Sequence, residues 1–152
     1  MPTKKFLIDF NKSVGPIVFG SSRSEVEAAI GKTPEREKRD MDLAPIDHFK
    51  DEAFIVHYDP NDTVMAVEFF ELGVLFAPPD VSLDMPYAAL LKWVRGKDAD
   101  VMVESAGDFQ SDALGLAGRP KPSNSKAVES IVVYRPNYYE EAAEWMEKLG
   151  LI

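Results

Sequence analysis

The sequence contains no cysteine. That absence removes disulfide staples, thiolate nucleophiles, thiolate metal sites and lipid attachment at a cysteine, so the fold is expected to stand on its hydrophobic core alone. Long apolar runs are missing too, and no stretch approaches the roughly 20 residues needed to span a bilayer. The N-terminal MPTKKFLIDFNKSVG breaks its apolar residues with Asp9, Asn11 and Lys12. It lacks the apolar region of a secretory signal, and a cytoplasmic location is expected. Basic residues are in deficit, 17 against 26 acidic, for a net charge of −9. A surface of that sign repels phosphate backbones and disfavours nucleic-acid binding, while it attracts a cationic protein.

Chemical signatures are equally sparse. There is no G-x-S-x-G elbow, no G-x-G-x-x-G turn and no phosphate loop. Two histidines occur, His48 in a polar stretch and His57 inside a strand pattern, without the H-x-x-x-H or H-E-x-x-H spacing of a metal site. No cofactor or metal is expected, and the reading is non-enzymatic. One alternative stays open: a small enzyme or ligand-binding site around His57, using Asp59 or Glu68.

What is present is the composition of one globular domain over residues 1–152, with 45% apolar and 28% charged residues. Its most ordered stretch is 19–31, FGSSRSEVEAAIG. Ser22 to Glu25 fits the S-x-x-E capping box, Val26, Ala29 and Ile30 form an apolar stripe, and Gly31 suits a left-handed terminus. Residues 54–70, FIVHYDPNDTVMAVEFF, read as two strands around a type I-like turn at Asp59-Pro60-Asn61-Asp62. Strands are also expected at 5–10, 17–19 and 73–77, the last stopped by Pro78-Pro79. The polar stretch 32–51 reads as a surface loop with a strand in its middle, and its Arg36, Lys38 and Arg39 as a solvated face.

A similar plan recurs downstream. Asp84 is a candidate helix cap, Pro86 suits a first turn, Tyr87, Leu90, Leu91 and Val94 give the stripe, and Gly96 takes the place of Gly31. Strands are expected at 101–104, 113–117 and 128–134, with a loop at 118–127. Residues 137–149 form a final helix with Tyr138, Ala142, Trp145 and Leu149 on one face and Trp145 as a core anchor. The expectation is an α+β domain: a tandem pair of helix-plus-antiparallel-strand units at 15–77 and 80–135, with the C-terminal helix 137–149 packed on the sheet.

The first unit resembles the short α/β repeat of β-lactamase inhibitor protein and of small outer-membrane assembly lipoproteins, through Phe19-Gly20, Ser22 to Glu25, Val26, Ile30-Gly31, Tyr58-Asp59 and Val67. Those families are secreted or lipidated, so their functions do not carry over. The small, acidic, cysteine-free plan is also similar to bacterial immunity proteins, and that resemblance implies a protein partner, a basic toxin domain that the chain binds and neutralises. The candidate contact residues are the acidic segment Asp98, Asp100, Glu104, Asp108 and Asp112 together with Glu140 and Glu144 of the last helix. A monomer or a homodimer joined through the 73–77 edge is expected.

Overall fold

The computed structural model describes residues 5–152; the first part of the stretch read for a signal, residues 1–4, lies outside them. The fold is α+β, as expected. Three short strands open the chain: β1 (Phe6–Asp9), β2 (Ser13–Val14) and β3 (Ile17–Val18). Helix α1 (Arg23–Ile30) then leads into four antiparallel strands, β4 (Glu35–Glu37), β5 (Ile46–Phe49), β6 (Phe54–Tyr58) and β7 (Val64–Phe69). After a 3-10 turn at Leu72–Val74, the hairpin β8 (Leu75–Ala77) and β9 (Val81–Ser82) precedes α2 (Tyr87–Lys97). A second meander follows: β10 (Met102–Val103), β11 (Phe109–Ser111), β12 (Leu116–Lys121) and β13 (Asn124–Tyr134), then α3 (Tyr138–Lys148).

The two meanders meet where β13 pairs antiparallel with β7, Val132 opposite Glu68 and Tyr134 opposite Ala66. They form one eight-stranded sheet in the order β10-β11-β12-β13-β7-β6-β5-β4, beside a five-stranded sheet β3-β2-β1-β8-β9. Period-2 alternation gives the large sheet two faces. Its inner face presents Phe54, Val56, Val67, Phe69, Leu116, Ile131 and Val133 to the main core, which also takes Val26 of α1 and Leu90 and Val94 of α2. Phe6 of the small sheet packs against Phe54 and Phe69 with ring centroids 5.4 and 5.5 Å away. Burying each such ring contributes about 1.5–3 kcal/mol, so this aromatic contact joins the two sheets. The outer face carries a smaller cluster of Met65, Ala66 and Tyr134, on which Tyr138 and Ala142 of α3 rest.

The capping box of α1 forms in both directions, Glu25 N–H donating to Ser22 Oγ and Ser22 N–H to Glu25 Oε1, and Gly31 ends the helix at φ 77°. The turn at Asp59–Asp62 and the strand stop at Pro78 also follow expectation. Several other readings need correction. Asp84 does not cap α2, which starts after Pro86. Gly96 does not end it either: Val94 lies in the buried stripe and its carbonyl accepts the Asp98 amide, so the glycine is carried inside the last turn. The 118–127 loop is a hairpin, because Pro120 sits at a register shift where its missing N–H breaks no ladder.

The strand expected at 113–117 begins only at Leu116. Gly115 before it turns at φ 65°, and an added Cβ would overlap the Tyr134 carbonyl oxygen. Residues 32–51 hold two strands with the irregular part between them, not a loop with one strand in its middle, and β5 is buried at Ile46, Asp47 and Phe49. Strand β8 lies between β1 and β9, so the 73–77 segment offers no free edge for a dimer. Trp145 is only half-buried, since α3 lies on the sheet without burying any residue completely, and Leu149 is exposed.

One buried charge fixes the first helix to the sheet. Asp47 is fully buried and accepts from Arg36 Nε at 2.7 Å, Arg23 Nη1 at 3.2 Å and the Tyr58 hydroxyl at 2.9 Å. Arg23, from the first turn of α1, also lies 4.0 Å over the Tyr58 ring and donates to the Pro45 carbonyl and to Asp62. Arg36 is exposed, as are Lys38 and Arg39, yet its guanidinium also serves as a structural partner of Asp47. Burial first, then the Asp47 charge, pushes the Tyr58 hydroxyl well above its ordinary range. Removing one member of such a cluster strands the others, at a cost of about 3–5 kcal/mol. Asp47→Ala is therefore expected to lower urea-unfolding stability by about that amount, whereas Lys38→Ala, an exposed neighbour, should change it by less than about 0.5 kcal/mol.

Candidate functional site

One cross-strand row runs over the outer face of the second meander. Glu68 on β7 stands opposite Val132, Val132 opposite Ala117, Ala117 opposite Gln110, and Gln110 opposite Met102 at the sheet edge. Helix α3 covers the neighbouring Tyr134 and Ala66 but leaves this row open. Because Ala117 and Ser130 are small, the uncovered surface is concave, a groove of about 280 Å³. Its walls are Glu68, Glu104, Asp108 and Arg119, with Tyr139 of α3 on the rim.

The groove is electronegative. Asp108 pairs with Arg119 at 3.3 Å, and both side chains keep substantial solvent exposure. Glu104 is exposed, and among the described residues no hydrogen bond or ion pair engages its carboxylate. Burial pushes the Glu68 carboxyl up, but the hydrogen bond with His57 (Nε2 to Oε1, 3.4 Å) and the charges of His57 and Arg39 outweigh it and hold the pKa below the ordinary value. Glu68 therefore stays ionised. The Tyr139 hydroxyl is pushed up to about 12, by burial first and then by Asp112, Glu104 and Glu68. Three carboxylates thus act on one rim tyrosine. Tyr139 also packs edge-on against Tyr134 and Tyr138, at 5.1 and 4.9 Å between centroids.

A second network places α3, and with it Tyr139. Asp59 accepts from the amides of Asn61 and Thr63, from Thr63 Oγ1 at 2.6 Å and from Arg135 Nη2 at 3.0 Å. Arg135 then donates to the Val64 carbonyl and to Glu141 in the first turn of α3. The β6–β7 turn and the start of the helix are held by one guanidinium.

The seven acidic residues singled out in the sequence separate into groups. Glu104 and Asp108 stand in the groove wall. Asp112, which accepts from Tyr134 OH at 2.9 Å, and Glu140 act on the adjoining tyrosines. Asp98 is occupied by the Ser111 hydroxyl and the Asp100 amide at the end of α2, and Asp100 is exposed in that turn. Glu144 lines a different depression, beside Asp59, Arg135 and Lys148. Glu68, Arg119, Ser130 and Tyr139 were missed as groove residues. The alternation of Ser130, Val132 and Tyr134 marks an outer face, but nothing local shows which strands lie beside it.

His57 pairs with Glu68 and lines a separate cavity of about 120 Å³ under α3, with Asp42, Met65, Tyr138 and Met146; Asp59 is turned into the Arg135 network instead. Among the described residues no group of three or more His, Asp or Glu side chains is arranged to hold a metal ion. No described helix is long and apolar enough to cross a membrane. No family model matches the chain, and no curated protein or solved structure shows significant similarity to it.

Two outcomes check this geometry. Neutralising Glu104 and Asp112 together (Glu104→Gln, Asp112→Asn) is expected to move the Tyr139 transition from about 12 towards the ordinary 10.0, read by ultraviolet titration against a Tyr139→Phe control. The second concerns acid. Burial raises the Asp59 carboxyl, but its bonds from Thr63, Arg135 and Asn61 prevail and leave the pKa below the ordinary 3.8. A depressed carboxyl contributes stability that is fully present above the unfolded-state value and lost as pH falls through the lower folded-state value. The parent protein should therefore lose stability below pH 3.8 more steeply than Asp59→Asn, measured by urea unfolding across that range.

Proposed function

We propose that the chain is a non-enzymatic protein-binding module, and that the role it fits best is a cytoplasmic immunity protein that binds and neutralises a basic bacterial toxin domain. The observation that supports this reading is the groove itself, in which Glu68, Glu104 and Asp108 face a tyrosine-rimmed hollow on a protein of net charge −9. The hollow, about 280 Å³ in volume, has room for long basic side chains laid over its carboxylates. Tyrosine beside such a pocket supplies a large contact area at low entropic cost, the composition of binding hot spots. The acidic surroundings set the encounter rate and the choice of partner more than the final affinity.

The other reading, a small enzyme or ligand binder at His57, draws support from the His57–Glu68 contact. Its cavity of about 120 Å³ holds only a few atoms, so the binding module is preferred.

The test uses the purified basic protein encoded beside this chain's gene, with affinity measured by calorimetry. Asp108→Lys, Asp112→Lys and Glu140→Lys are each expected to weaken binding at least about tenfold, equivalent to about 1.4 kcal/mol. Glu144→Lys, in the separate Arg135 depression, should have a smaller effect. Affinity should fall as salt rises, and co-expression should protect cells from the partner's toxicity. Unchanged affinity in all the reversals, or no protection, would overturn the proposal.

A further inference from the structure

The groove opens onto the edge of the eight-stranded sheet, and the two edges of that sheet differ. Strand β4, at one end, is Glu35, Arg36 and Glu37, with Glu35 paired to Lys50 and Arg36 to Asp47. Charges of that kind protect a sheet edge against added strands. Strand β10, at the other end, carries Met102 at 51% and Val103 at 42% exposure. No charge covers it on its own two residues.

The direction of the free backbone groups follows from the pairing. Met102 lies opposite Gln110 and Val103 opposite Phe109, while the Glu104 amide donates to the Asp108 carbonyl at 2.8 Å. Antiparallel ladders alternate between bonded and non-bonded pairs. Glu104 and Met102 therefore turn their backbone groups towards β11, and Val103 turns its N–H and C=O outward, to the side where the described residues place no neighbouring strand. The same alternation puts the Met102 and Glu104 side chains on the groove face and Val103 on the opposite face.

We infer that β10 is the docking edge for an extended segment of the partner, which adds as a further strand and lays alternate Lys or Arg side chains over the acidic groove. This rests on the binding role proposed above and deepens it. An added strand next to β10 sends every second side chain towards Met102, Glu104 and the groove, and the intervening ones towards exposed Val103. The matching segment alternates basic and β-branched apolar residues. Main-chain bonds to the Val103 amide and carbonyl supply register, and the carboxylates supply selectivity, the division of labour usual in strand addition. Charge also selects the occupant. A second copy of this chain paired through β10 would bring two acidic grooves side by side, where like charges repel.

The experiment uses the whole chain, isotopically labelled, and a blocked hexapeptide of alternating lysine and valine. Amide exchange and chemical shifts are read by nuclear magnetic resonance. The Val103 amide is expected to be protected from exchange on peptide addition. A glutamate–valine peptide, or the basic peptide N-methylated at alternate residues so that it cannot pair, should bind at least tenfold more weakly. Glu104→Lys should weaken the basic peptide to a similar degree. Val103→Pro should do the same, with an unchanged melting temperature confirming that the fold persists, as a proline at an edge allows. If Val103→Pro fails to fold, the N-methylated peptide gives the same test without altering the protein.

Unchanged exchange at Val103 with peptide in saturating excess overturns strand addition, as does Val103 protection that grows with protein concentration alone, which would mark a second copy. If Glu104→Lys weakens binding while N-methylation does not, the groove reading stands and the strand is wrong. If neither matters, both fall.

Discussion

The pairing of β7 with β13 is the contact on which the rest of the molecule depends. Each meander alone is a four-stranded sheet with one apolar face and one free side. Joined through Glu68–Val132 and Ala66–Tyr134, they give a single inner face wide enough for two helices and the small sheet. They also give a continuous outer face, part of which α3 covers. The groove exists because its walls come from both sides of that seam: Glu68 from β7, Ser130 and Val132 from β13, and Glu104, Asp108 and Gln110 from the far strands.

Acidic side chains serve two purposes here, and burial separates them. Asp47 and Asp59 are nearly or fully buried and saturated with arginine, tyrosine, threonine or amide donors. They tie α1 and α3 to the sheet. A buried carboxylate without such partners would be strongly destabilising, so their donors and their positions are fixed together. Glu104 and Asp108 keep contact with solvent beside the edge strand β10. Exposed charges of that sort add little to stability, which leaves them free to meet a partner. Glu68 stands between the two groups, held ionised by His57 and Arg39 yet open to the groove.

Local chemistry was legible where it was self-contained. The capping box of α1, the left-handed Gly31, the strands on either side of the Asp59–Asp62 turn and the proline stop after β8 are each decided within a few residues. The misreadings share a cause. Gly96, Pro120 and the polar 32–51 stretch carry breaker or loop composition, but neighbours distant in sequence override it: β13 pairs through Pro120, and β5 is buried by β6. Trp145 has the spacing of a core residue, yet the sheet face beneath α3 is already filled by Tyr134 and Tyr138.

The sequence by itself determined the class of surface and the inventory of chemistry: an acidic chain without cysteine, a clustered run of carboxylates from Asp98 to Asp112, and an amphipathic last helix. It also determined the α+β class, because hydrophobic periods of 2 and 3.6 are local properties of the chain. Only the tertiary structure decided which carboxylates stand together. Asp98 was drawn into a turn and Glu144 into a separate depression, while Glu68, whose place in the sequence suggests only a partner for His57, joined Glu104 and Asp108. The reason is that strand pairing between distant segments sets these distances, and the spacing of residues along the chain does not encode it.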